Sequence, residues 1–158
     1  MSLVLSKYLK AVELIKLHPE WQHFMGPRKR SLVRKAESVL DLTFPTGYCQ
    51  FLLEFGAGHF RSREISGLIN DNFEESSAID AIWYTLNERK TGLLPQFVIV
   101  ATQGDGWLYC LDCSNDEKLR NRVVGYYSPA PSEIQTYEVL WPSFEDMFYE
   151  LIRETLNR

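Results

Sequence analysis

Cys110-Leu111-Asp112-Cys113 has the spacing of a redox or metal-binding pair. Redox work needs an accessible thiol with a lowered pKa, commonly at the start of a helix. This pair instead ends a strand-like run, where side chains alternate, so Cys110 and Cys113 should face opposite sides and act as packing residues. A zinc site drawing on Cys49, His18, His23 or His59 lacks a compact ligand motif. Ser62 stands near His59, but no Gly-x-Ser-x-Gly elbow accompanies them. No catalytic set, metal or cofactor is therefore expected. Gly104-Asp105-Gly106 is followed by no Gly-Lys-Ser/Thr segment and reads as a turn rather than a phosphate loop. There Asp105 would cap local backbone donors or present its charge to a partner. Asp71, Glu74, Glu75 and Asp80 would form a negative patch for a basic partner, and they have no spacing typical of an ion-binding loop. These four acids and Asp105 are the expected partner contacts.

The chain has 158 residues, enough for one substantial core and marginal for two. At 45% hydrophobic and 24% charged residues it has material for a packed interior, which argues against general disorder. Its net charge of -4 is uneven: residues 1–35 hold eight Lys/Arg against two Asp/Glu, and the remainder nine against nineteen. The basic run Arg28, Lys29, Arg30, Arg34 and Lys35 reads as the solvated side of helical turns and as a weaker alternative contact. Without an overall basic balance or a docking element, direct nucleic-acid binding is not expected. No apolar stretch approaches the roughly 18–20 residues that span a bilayer, and no signal core opens the chain. The expectation is a cytoplasmic protein with no membrane contact. Three cysteines cannot all pair within one chain, so they should be reduced.

Leu5, Leu9 and Val12 predict a first helix over 3–17, within an N-terminal helical segment at about 3–30. His18-Pro19 stops it, and Gly26-Pro27 argues against one continuous helix. Leu32, Ala36, Val39 and Leu40 predict a second helix over 31–41. A third covers 46–55, with Thr46 as N-cap, Tyr48, Phe51, Leu52 and Phe55 on its apolar side, and Gly56 as breaker. Residues 60–68 predict a short strand and turn. Ala78, Ile79, Ile82, Trp83 and Leu86 predict a fourth helix. Residues 97–102 and 107–112 should pair as a hairpin, because glycines allow the reversal between them. Further strands are expected at 123–127 and 134–140. Ser143 and Asp146 resemble a capping box, and Phe144, Met147, Phe148, Leu151 and Ile152 form the stripe of a closing helix. The result is an α+β fold, a single domain over 1–158 with helices around a mainly antiparallel sheet.

Three segments in order carry a family resemblance: Phe44 to Gly56, Gln103 to Asp112 and Trp141 to Met147. Together they resemble the SUKH superfamily, in which Leu-Pro is more usual where this chain has Phe44-Pro45. On that resemblance Pro45, Tyr48, Phe51, Gly56, Gly104, Gly106 and Phe144 are scaffold determinants. Bacterial members are frequently immunity proteins that bind and neutralise toxins, many of them nucleases, and eukaryotic relatives include a regulator of cell-wall synthesis.

The function implied is stoichiometric inhibition of a cognate toxin protein, with a nuclease among the candidate targets. An intracellular regulatory or assembly adaptor is the alternative, followed by a small hydrolase. The resemblance does not fix the toxin-binding surface, and the sequence leaves homo-oligomer formation open.

Overall fold

A computed structural model describes residues 3–74 and 79–157. Helix α1 spans Leu3–Leu17 and leads through a 3-10 turn at Pro19–Trp21 into strand β1, Gln22–Phe24. Helices α2 (Arg30–Leu40) and α3 (Thr46–Glu54) follow. Next come β2 (Gly58–Phe60), β3 (Arg63–Ile65), helix α4 (Ala81–Arg89), β4 (Phe97–Thr102), β5 (Trp107–Asp112), β6 (Val123–Tyr127), β7 (Val139–Trp141) and helix α5 (Phe144–Glu154). All seven strands form one antiparallel sheet in sequence order. The architecture is α+β, as the periodicity predicts. No helix among the described residues is long and apolar enough to cross a membrane.

The central strands read as unbroken apolar runs because both their faces are covered. Val98, Val100, Tyr109, Leu111 and Val123 join the larger core, to which every helix contributes. Phe97, Ile99, Leu108, Cys110, Val124 and Tyr126 form a smaller core on the opposite face, with Tyr84 and Tyr137 against it. Phe51 lies at the centre of the helical layer, 5.4 Å from Phe148 and 5.9 Å from Phe144, ring centre to ring centre. Tyr48 is equally buried and satisfies its hydroxyl by donating to the Ser66 carbonyl at 2.8 Å.

Local chemistry sets the boundaries. The β4–β5 reversal uses Gly104 and Gly106 at φ +87 and +96, a region open to glycine at little cost. Asp105 Oδ1 accepts from the Trp107 amide at 3.1 Å. Ser143 caps α5, its Oγ accepting from the Asp146 amide at 3.0 Å and donating to the Asp146 carboxylate at 2.6 Å.

Several expectations are corrected. Thr46 is not the cap of α3: Pro45 holds that position and no side chain bonds the helix start. The 3–30 segment is not wholly helical, since Gln22–Phe24 pairs with β2. The buried face of α1 is Tyr8, Ala11, Val12 and Ile15, whereas Leu5 and Leu9 are exposed. Val39 is likewise exposed, and Val33 takes the buried position in α2. Within 134–140 only the final residues are extended, because Ser132–Ile134 forms a 3-10 turn. The strand and turn expected at 60–68 is a hairpin that starts earlier, at Gly58.

Candidate functional site

The residues with reactive side chains are mostly committed to the scaffold. Cys110 and Cys113 enter different cores on opposite faces of the sheet, and burial pushes both thiols far above their ordinary range. His23 and His59 stack across β1 and β2 at 4.7 Å, with His59 Nδ1 3.0 Å from the Arg61 carbonyl oxygen. His18 stacks on Trp21 at 4.0 Å.

The expected acidic patch divides on folding. Asp80 is buried, and its Oδ1 accepts from the Ile82 and Trp83 amides at 2.9 and 3.1 Å, making it the N-cap of α4 rather than a surface contact. Asp71 is exposed and bonds Lys35 Nζ at 3.1 Å, so the acidic and basic segments meet and offset each other. Arg28 donates to the carbonyls of Met25, Gly26 and Ile69 and ties the two segments together. Glu74 is exposed, and Glu75 lies outside the described residues. Asp105 is exposed at the tip of the β4–β5 hairpin, beside Trp107.

Two grooves stand out. The first, of about 660 Å³, lies where α1, α3 and the start of α5 converge. Several of its polar side chains bond one another. Tyr8 and Gln50 both donate to Glu54 Oε1, at 3.0 and 2.7 Å. Asn121 Nδ2 donates to Glu145 Oε1 at 3.0 Å. Burial raises the Glu145 carboxyl above its ordinary value, opposed by the Asn121 bond and by its own backbone amide. That carboxyl lies against Gly47 in the first turn of α3, where a Cβ would come within 2.6 Å of Oε1. The carboxyl thus packs against the start of α3, where any side chain at position 47 would have to displace it.

The second groove, of about 550 Å³, lies on the sheet itself. Alternation places Trp107, Tyr109 and Leu111 of β5 on one face, with Val123, Gly125 and Tyr127 of β6 beside them. Leu111 and Val123 are packed in the core with α5, whereas Trp107, farther along the same face, is 41% exposed. The helical layer thus ends before the sheet does. Tyr109 meets Trp141 edge-on at 5.1 Å, and Trp107 leans on Tyr127 at 5.0 Å. Val139 and Leu140 of β7 are 49% and 40% exposed. Glu138, Glu150 and Glu154 rim the groove, and among the described residues neither Lys nor Arg lines it. Glu154 bonds Arg63 at 2.5 Å, and Glu150 bonds Arg153 one helical turn away. The exposed Glu138 side chain has no hydrogen bond or ion pair among the described residues. Burial raises the Tyr109 hydroxyl, with Glu154 and Asp105 adding to the rise against Arg63, and it donates to Gln103 Oε1 at 3.0 Å.

The sequence reading named Asp105, at the tip of the hairpin that carries Trp107, but missed Trp107, Gly125, Glu138 and Leu140 as a set. One signal was available: a glycine inside a strand often marks close approach by another molecule. Of the scaffold determinants, Tyr48, Phe51 and Phe144 are core, Pro45 lines the first groove, Gly56 directly follows the Phe55 cap of α3, and Gly104 and Gly106 shape the hairpin.

A family model described as SMI1-KNR4 cell-wall, SUKH_5, matches residues 1–153. No curated protein matches the chain.

Proposed function

The chain belongs to the SMI1-KNR4 family of the SUKH superfamily, and from that premise we propose that it is a non-catalytic immunity protein neutralising a cognate toxin by stoichiometric binding. The observation that carries this reading is the uncovered end of the sheet. Trp107 and Leu140 are exposed there, among carboxylates and, among the described residues, without lining Lys or Arg. Exposed aromatic anchors inside a polar rim are the composition of an energetically dominant contact. A toxin that acts on nucleic acid must attract phosphates and so presents a basic surface, which the exposed Glu138 and Asp105 complement, Glu150 and Glu154 being already paired with Arg153 and Arg63. Asp71 and Glu74 serve as outlying contacts. Inhibition then consists of covering the toxin's working surface, with no bond made or broken.

The test is co-expression of the chain with the toxin encoded beside its gene, together with titration of the two purified proteins. Protection and one-to-one binding are expected. Absence of both refutes the proposal, and co-purification with several endogenous proteins but no toxin points to an adaptor instead.

A further inference from the structure

Gly125 occupies the interior of β6, where a glycine weakens the strand and gives nothing to pack. Its backbone is not in the left-handed region, so conformation does not require it. What the missing side chain allows is close approach of the groove's two walls: a Cβ would stand 3.3 Å from Leu140 Cδ1 and 3.4 Å from Trp107 Cζ3, so a larger residue would push both outward and reshape the groove. Faces of Trp and Tyr attract ammonium and guanidinium groups, and the groove's charged lining is entirely carboxylate. Beside it, β7 ends the sheet and pairs with β6 alone among the described strands. Its outer backbone groups can therefore accept another strand, and added strands gain specificity from pockets for alternate side chains.

We infer that the groove between Trp107 and Leu140 receives a lysine or arginine side chain from an extended partner segment that adds to the sheet beyond β7. This deepens the toxin-binding reading and rests on it for the partner's identity. The cation sits at the mouth of the groove against the exposed Trp107 and facing Glu138, and a neighbouring apolar residue of the segment covers Leu140.

The test pans the full chain against a displayed library of random peptides and titrates the strongest synthetic binder by tryptophan emission. Recovered peptides should carry Arg or Lys between alternating β-branched or aromatic residues and avoid proline. Affinity should fall at least about tenfold in Gly125→Val and in Glu138→Lys, and should weaken with salt. Glu138→Lys alters an exposed side chain, so its thermal unfolding should match the parent's and separate lost binding from lost folding. A library that yields no binder, peptides without a basic residue, or binding unchanged in both variants overturns the inference. Toxin protection that survives both variants sinks it while leaving the immunity role intact. Peptide binding lost in both variants, with no toxin bound, has the opposite meaning.

Discussion

The two grooves are similar in volume and both carry three glutamates, yet their side chains are used differently. In the helical groove, Tyr8 and Gln50 bond Glu54, tying α1 to α3, and Asn121 bonds Glu145, tying the β5–β6 connection to α5. In the sheet groove, Trp107 and Leu140 leave much of their surface to solvent and Glu138 is unpaired among the described residues. A concavity whose buried polar groups are bonded across elements, with Glu117 at its edge the one charged residue left without a partner among the described residues, serves the scaffold first. One that combines exposed aromatic surface with uncompensated charge still has binding energy to gain. The family signature follows the same division, with Pro45 and Glu145 lining the helical groove and Trp107 at the sheet groove.

The largest expected effect is at Trp107. Trp107→Ala should weaken toxin binding by about 2 kcal/mol or more. Its melting temperature should stay close to the parent's. Binding that survives this change would move the interface off the sheet groove. Gly47→Ala should reverse the pattern: it drives a methyl group into the half-pinned Glu145 carboxyl at the start of α3 and, after the helix propensity it gains, should cost about 1–2 kcal/mol in urea unfolding. A loss below about 0.5 kcal/mol would mean that the helical groove can yield and is not the rigid half of the pair.

Asp80→Ala tests whether the acids of the 71–80 segment act together. Loss of the α4 cap should cost about 1–2 kcal/mol of stability, and toxin affinity measured on the folded variant should not change. Asp71→Asn removes an exposed pair with Lys35 and should change stability by less than about 1 kcal/mol. If it weakens binding as much as Trp107→Ala, the acidic segment and not the sheet groove is the anchor.

Glu145→Gln addresses pH. The folded carboxyl titrates above its ordinary value of 4.5, so folding favours its protonated form. Its contribution to stability is therefore full below about pH 4.5 and declines as pH rises through the folded pKa. The glutamine variant keeps an oxygen for Asn121 and should lose this decline, so the two proteins' denaturation midpoints should diverge as pH rises above 4.5. Parallel curves would show that the carboxyl titrates as if exposed.

Local patterns made much of the fold legible. The runs at 97–102, 107–112 and 123–127 became β4, β5 and β6 within the expected bounds, and Ser143 caps α5 as its spacing predicts. Strand β1 was hidden because three residues are too few for a periodic signal and its extended form depends on pairing with β2. Leu5 and Leu9 misled for a related reason: spacing identifies a stripe, but the neighbouring helix decides which part of it is covered.

By itself the sequence determined what neighbours along the chain enforce: the alternating faces of the central strands, the glycine reversal after Thr102, the capped closing helix and the separation of Cys110 from Cys113. Only the tertiary structure decided that Asp80 turns inward, that Asp71 is neutralised by a lysine 36 positions away, and that the Glu145 carboxyl lies against Gly47 at the start of another helix. It also decided that Trp107, Gly125, Glu138 and Leu140 share one groove. Such groupings arise from where the helical layer stops over the sheet, a property of packing between distant segments that no local pattern encodes.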